Sequence, residues 1–331
     1  MIVKQYDFGW GREWELKQFE KEILDEYLKP LIDSPKKIVI INSTWYSKEY
    51  HAVVAEELRQ MDVDAIVLVA FIDCAIPNKS WFSDFDIPVY ELGYYDGPHN
   101  IDFWSLVCEK YYTKLTFGEV SQCDMSVGYM CLNRKPHWHR VKLIAQLEKF
   151  NLLQHGYVSL GSENSNQPQI KLARDSAKEN RLAPNAGSDN RGIINDIVTL
   201  GSMENWNNHL VNIVTETVYD INSNHFVTEK TWKPIIGFRP FFIYDTDLGS
   251  KWLTNRGFET YANDFADLID GPVNTPNAVL TLLIQLSRQQ MPYYKHKLLD
   301  LKEKLLYNNI CFIQHTDTQK RKIKEGILCQ I

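Results

Sequence analysis

The chain lacks most of the features by which common protein classes announce themselves. No apolar run reaches the ~18 residues that cross a bilayer as a helix. The opening MIVKQYDFGWGREWELKQFEKE is charged and aromatic, unlike a secretory leader, so a cytoplasmic protein without a membrane span is expected. The six cysteines, Cys74, Cys108, Cys123, Cys131, Cys311 and Cys329, are scattered and form no CxxC pair. Neither a zinc site nor a disulfide framework follows from such spacing, which fits reduced thiols. There is no GxxxxGK[ST] loop, no GxGxxG after a first strand, no HExxH and no GxSxG, so kinases, common dehydrogenases, zinc proteases and α/β-hydrolases lose support. Positive charge is not in excess either: 36 Lys and Arg stand against 42 Asp and Glu, for a net charge of −6. A general nucleic-acid coat or a binder of anionic membranes is normally basic.

What remains is an ordinary globular composition, 44% hydrophobic and 24% charged over 331 residues. That excludes a disordered chain, a collagen and a coiled coil, and the length suggests two domains. Residues 12–32 read as a partly exposed helix. Ile38 to Asn42 is a short continuous apolar run, the mark of a strand covered on both faces. Ser47 is placed to cap a helix reaching Gln60, with Val53, Val54 and Leu58 on its buried side. Asp64 to Phe71 and Ile87 to Leu92 read as further strands, and 101–113 as an aromatic-rich helix. Strand and helix alternating through short joints predict a parallel α/β sheet.

A second such pattern starts near Ser126. Val127 to Leu132 reads as a strand. Residues 137–150 read as a helix that follows Pro136 and shows Val141, Ile144, Leu147 and Phe150 on one side. Tyr157 to Leu160, Leu210 to Val214 and Pro240 to Tyr244 are the next strands, and 161–191 is a long polar stretch, either a functional loop or a surface excursion. A short helix over 248–255 ends at Gly257. Residues 276–307 read as two helices broken at Pro292, and a polar, basic tail starts at Gln314. The expected domains are 1–124 and 125–331, with the boundary falling near 115–126.

The strongest chemical constellation is His225-Phe226-Val227-Thr228-Glu229-Lys230-Thr231-Trp232. A strand ends at Glu216, a polar loop follows, and Thr228 caps a helix that begins with an acid and a base. Ligands of open α/β sheets bind beyond the carboxyl ends of the strands. A helix start there offers N–H groups and a positive dipole end to phosphate, and Lys230 adds a full charge. Glu229 can accept hydrogen bonds from ribose hydroxyls. The local residues fit equally a capped surface helix. His137 and His139 flank Trp138, suited to packing or to a ligand contact. Asp245-Thr246-Asp247 spells a metal-binding triplet, but it follows a strand, where a turn is expected.

Leu210 to Asp247, with its strand, Glu216, loop, Thr228-Glu229-Lys230 and Trp232, resembles the donor-binding segment of the α-1,3-fucosyltransferase family. Upstream, Met130 to Asn133 followed by His139 to Leu143 is similar to that family's strand and Arg-bearing helix. Together these cover roughly residues 127–265. The resemblance implies two Rossmann-like α/β domains facing across a cleft, the GT-B arrangement, with terminal helices packing back toward the first domain. It also implies transfer of a sugar from a nucleoside-diphosphate sugar to a carbohydrate or other hydroxyl acceptor. The donor-binding residues it implies are Asn133, Arg140, Glu216, Thr228, Glu229 and Lys230. The sequence departs from the family at Thr217, where the family has Asn, and at Lys233 to Ile236, so donor sugar and nucleobase stay open. No cofactor and no metal are expected, because two cations and a helix start can carry the leaving-group charge. An inverting course needs a carboxylate base, for which Asp73, Glu91 and Asp96 are candidates after the strands of the first half. Two alternatives remain. One is a phage-type transferase acting on modified DNA bases, left open by the basic Lys320-Arg321-Lys322 and Lys324. The other is a non-catalytic sugar-nucleotide-binding protein.

Overall fold

The computed structural model describes residues 2–7, 26, 28–29, 33, 35–42, 48–70, 79–93, 101–112, 114–133, 136–160, 199–216, 227–244 and 248–325. The chain divides into two compact units. One comprises Met1–Glu109 with Gln314–Ile331, and the other Lys110–Ile313. Each is built on a four-stranded, wholly parallel sheet. No helix among the described residues is long and apolar enough to cross a membrane.

In the first unit the strands run in chain order: β1 (Ile2–Asp7), β2 (Ile38–Asn42), β3 (Ala65–Ala70) and β4 (Val89–Gly93). Ile38 to Ile41 and Ala65 to Val69 are buried without a break, as strands covered on both faces must be. Helix α1 (Lys48–Arg59) lays Val54 and Leu58 against Val39, Ile41, Ile66, Leu68 and Phe82. Val53 was expected on that side and is instead 61% exposed. The buried stripe is centred on Val54, Ala55 and Leu58, and at 100° per residue Val53 falls off its edge. The expected helix start Ser47 and nearly all of the expected helix over 12–32 lie outside the described residues.

Helix α2 (Phe103–Tyr111) buries Phe103, Trp104, Leu106 and Val107. The Asp102 carboxylate caps it by accepting from the Ser105 backbone N–H (3.1 Å).

The second unit opens with α3 (Phe117–Ser121), closed by a Thr116–Glu119 capping box. Strand β5 (Val127–Asn133) leads to α4 (Trp138–Lys149) and β6 (Gly156–Leu160). Then come α5 (Met203–Asn207), β7 (His209–Val214), α6 (Glu229–Ile236) and β8 (Phe241–Ile243). Phe150 was expected among the buried side of α4 but is 45% exposed. It is the C-cap, where the backbone has left the helix, and Lys149 lies over its ring. Pro234 sits inside α6 without ending it at once. The helix stops at Gly237, whose Cβ would fall 2.2 Å from the Trp206 indole, so only glycine fits there.

Helices α7 (Leu248–Thr254), α8 (Pro276–Leu286), α9 (Met291–Asp300) and α10 (Lys302–Ile323) complete the chain. Pro292 lies in the first turn of α9, a start rather than a break inside a helix. The residues from Gln314 are not a polar tail, because α10 continues through them. Phe312, Thr316, Gln319 and Ile323 recur on one buried side. His315 Nε2 meets the Asp102 carboxylate at 2.9 Å, and the Gln319 side-chain Oε1 accepts from the Asp102 backbone N–H.

The second sheet has the order β6-β5-β7-β8. The chain moves from β5 to one side, returns to the other side of β5 for β7, and continues outward to β8. By the rule that parallel crossovers are right-handed, this order sends α4 and α6 to opposite faces and makes the carboxyl ends of β5 and β7 the switch point where α/β sheets hold ligands.

Candidate functional site

The residues at that switch point form one continuous hydrogen-bonded network. Asn133 ends β5, and its side-chain amide donates to the Ser159 carbonyl (3.1 Å). Its Oδ1 accepts from the Thr215 hydroxyl, just past β7, at 2.6 Å. Arg140, in the first turn of α4, donates through Nη2 to the Thr215 carbonyl (2.9 Å). The guanidinium residue is only 1% exposed. One residue on, the Glu216 carbonyl accepts from His139 Nε2 (3.0 Å).

The Glu216 carboxylate reaches across to the start of α6. Its oxygens accept from the Thr228 backbone N–H (3.0 Å), the Thr228 hydroxyl (2.5 Å) and the Thr231 hydroxyl (2.6 Å). A buried carboxylate with three donors is well satisfied. It also places negative charge at the positive end of the α6 dipole. Thr228 closes the same turn by accepting from the Lys230 N–H (3.4 Å). Behind this turn, Trp232 is fully buried against Phe258 and Phe312, with ring centroids 5.5 and 5.3 Å away. The helix start is therefore fixed on both sides.

Lys230 Nζ lies 2.7 Å from Glu229 and 3.1 Å from the Thr228 hydroxyl. Burial works against the charged form of Glu229. Lys230, Lys233 and the Thr228 hydrogen bond outweigh it and hold the carboxyl below its usual range. His139 is harder to protonate than an ordinary surface histidine. Burial first, then the charges of Arg140, His137 and Lys230, lower its pKa to about 4, so the ring is neutral near pH 7. Arg140 of α4 holds the Thr215 carbonyl, and Lys230 of α6 holds the Thr228 hydroxyl that itself binds Glu216, so a cation from each helix is tied to the end of β7. Two cations, Arg140 and Lys230, and two carboxylates, Glu216 and Glu229, belong to this hydrogen-bonded cluster.

All six donor-side residues marked in the sequence, Asn133, Arg140, Glu216, Thr228, Glu229 and Lys230, belong to this network. Glu216 serves within it as the fastening of the α6 turn. Thr215, Thr231 and Ser159 belong too. Thr231 stands within the marked His225–Trp232 run without a role assigned to it, Thr215 adjoins Glu216, and Ser159, inside a strand, carries no signal. Of the three candidate bases, Glu91 lies in β4 opposite Leu68; Asp73 and Asp96 are outside the described residues, as are Asp245 to Asp247. The long stretch 161–191 is outside them as well. Among the described residues no group of three or more His, Cys, Asp or Glu is arranged to hold a metal ion.

No protein-family model matches the chain, and no curated protein does. Among solved structures the chain is similar to that of AviGT4, a glycosyltransferase involved in avilamycin A biosynthesis. The TM-score is 0.36 and the identity 9%, over 96% of this chain and 91% of that one. A likeness of that size says nothing of what this chain does.

Proposed function

We propose that the protein is a glycosyltransferase that moves a sugar from a nucleoside-diphosphate sugar to a hydroxyl acceptor without a metal ion. The observation that carries this reading is the convergence of Arg140 and Lys230 at the switch point of the second sheet, where α/β folds hold phosphorylated ligands. The resemblance of Thr228-Glu229-Lys230 to a donor-binding segment supports the same assignment. A fucosyl or other hexosyl donor is compatible with it.

In the proposed reaction the acceptor oxygen attacks the anomeric carbon. The bond from that carbon to the diphosphate oxygen breaks, and the electron pair leaves with the diphosphate. The negative charge that grows there is stabilised by Arg140 and Lys230, already oriented by Thr215, Thr228 and Glu229, so little reorganisation is needed. The single attack from the face opposite the diphosphate inverts the anomeric carbon, and a carboxylate takes the acceptor proton, for which Asp73, Glu91 and Asp96 are the candidates.

Calorimetry with a panel of nucleoside diphosphates and their sugars tests the reading. Lys230→Ala should weaken binding roughly ten- to a hundredfold, the loss expected for a charge-assisted contact. Its melting temperature should fall too, because Lys230 is the cation paired with the buried Glu229, so affinity is compared on folded protein well below the transition. Transfer should persist in excess EDTA. Unchanged affinity of the variant removes Lys230 from the site, and loss of transfer with EDTA, restored by manganese, rejects the metal-free course.

A further inference from the structure

Helix α10 is the longest among the described residues, 22 residues in one unbroken run. Its buried side carries Leu305, Phe312, Thr316, Gln319 and Ile323. The opposite side holds more than the charges a solvent face calls for. Glu303, Tyr307, Ile310, Gln314, Asp317 and Arg321 follow one another at alternating steps of four and three residues, and all six are exposed. That spacing gathers side chains into the seam along which helices pair. At its middle Ile310 is 54% exposed, Ile313 beside it 49% and Tyr307 44%. Large apolar side chains this close together form a patch, unlike the single ones common on any surface. The Tyr307 hydroxyl donates to the Gly257 carbonyl (3.1 Å), so its ring is already held in place.

The charges at the two ends of the stripe decide what fits it. Glu303 lies in the first turn and Arg321 in the last, about 27 Å apart at 1.5 Å per residue. Neither forms a salt bridge with a described residue. A second copy of the helix laid antiparallel, with a two-fold axis at the level of Phe312, brings Ile310 against the partner's Gln314. The same register sets Tyr307 against the partner's Asp317 and Glu303 against the partner's Arg321. By symmetry each pairing occurs twice. A parallel copy would set like charges against each other at both ends, which repel. We infer that the exposed stripe of α10 is a self-association surface, on which a second copy of this chain docks antiparallel. The apolar patch is small against the ~1,200 Å² at which stable complexes begin, so the dimer is weak, with a dissociation constant in about the micromolar range.

Sedimentation equilibrium of the full chain over about 1–300 μM tests this. The unaltered chain should dimerise reversibly, and less so at high salt. Ile310→Asp should abolish the dimer while its circular dichroism and melting temperature stay those of the unaltered chain, because the side chain is exposed. Glu303→Arg and Arg321→Glu should each weaken dimerisation about tenfold or more, since each turns two attractions into repulsions. The double variant, Glu303→Arg with Arg321→Glu, restores both pairs and should regain most of the affinity. A chain that stays monomeric over the whole range overturns the inference. So does a dimer that Ile310→Asp leaves intact, which would lie on another face. Single charge reversals without effect, or a double variant no tighter than the singles, overturn the antiparallel register.

Discussion

The two sheets have the same number of strands and the same parallel sense, yet they differ in winding. The first runs β1-β2-β3-β4, each strand added to the same side of the last. The second runs β6-β5-β7-β8 and reverses direction between β5 and β7. Only a reversal sends successive helices to opposite faces and leaves a crevice between their starting ends. Around the end of β7, the second unit gathers buried polar groups from five segments of the chain. In the first unit, the described buried polar group of comparable extent, Asp102 with His315 and Gln319, ties the start of α2 to α10. Similar hydrogen-bond chemistry thus lies at the proposed donor site in one unit and at a fastening in the other, and topology accounts for the difference.

The strongest way to break this comparison is to remove the carboxylate that spans the crevice. Glu216→Ala leaves one backbone N–H and two threonine hydroxyls without their acceptor. Hydrogen bonds to a charged group are worth ~1.5–3 kcal/mol each, and the hydroxyls can turn to other partners. A loss of roughly 3–4 kcal/mol in urea unfolding is expected, together with loss of nucleotide binding. A cost under 1 kcal/mol would mean that Glu216 does not fasten α6 and that the network is incidental.

A smaller effect sharpens the same contrast through pH. The pKa of His139 is about 4 in the folded protein and about 6.5 in an unfolded chain. The unfolded state therefore binds the extra proton first. The stability contributed by neutral His139 is complete above pH 6.5 and is lost as pH falls to about 4, on the order of 3 kcal/mol in all. His209, also held neutral chiefly by burial and then by Arg239, pushes in the same direction. His139→Gln should flatten the slope between pH 6.5 and 4 while leaving the His209 share in place. An unchanged slope would show that His139 is not the desolvated group.

The elements were legible wherever the signal was local. Ile38 to Ile41 and Ala65 to Val69 are apolar without interruption because both faces are covered, and Thr228 announces α6 by its position before Glu229 and Lys230. Strand β1 was not legible: Ile2-Val3-Lys4-Gln5-Tyr6-Asp7 stands at the edge of its sheet, among the described residues paired with β2 alone, and its polar residues obscure the pattern. The end of α10 was hidden for the opposite reason. His315 and Gln319 look like part of a solvated tail, yet both meet buried Asp102, more than two hundred residues earlier. The same distance effect limits the site. That Thr228-Glu229-Lys230 caps a helix is written locally. That Glu216 is its fastening and that Asn133 and Arg140 meet at Thr215 depend on pairings that only the sheet order creates.

The smallest expected effect concerns the fastening in the first unit. Asp102 both caps α2 and pairs with His315. Asparagine is as good a helix cap as aspartate, so Asp102→Asn keeps the bond to Ser105 and loses only the charge facing the imidazole. The remaining amide can still meet His315 as a neutral partner, so the expected cost is about 1 kcal/mol in urea unfolding. Nucleotide affinity, measured on the folded protein by calorimetry, should equal that of the unaltered chain, because the Asp102 cluster belongs to the unit whose sheet has no reversal. A fall in nucleotide affinity comparable to that of Lys230→Ala would contradict the contrast between the two sheets. It would move part of the ligand's binding energy to the first unit, and make Asp102 and His315 candidates for contact with it.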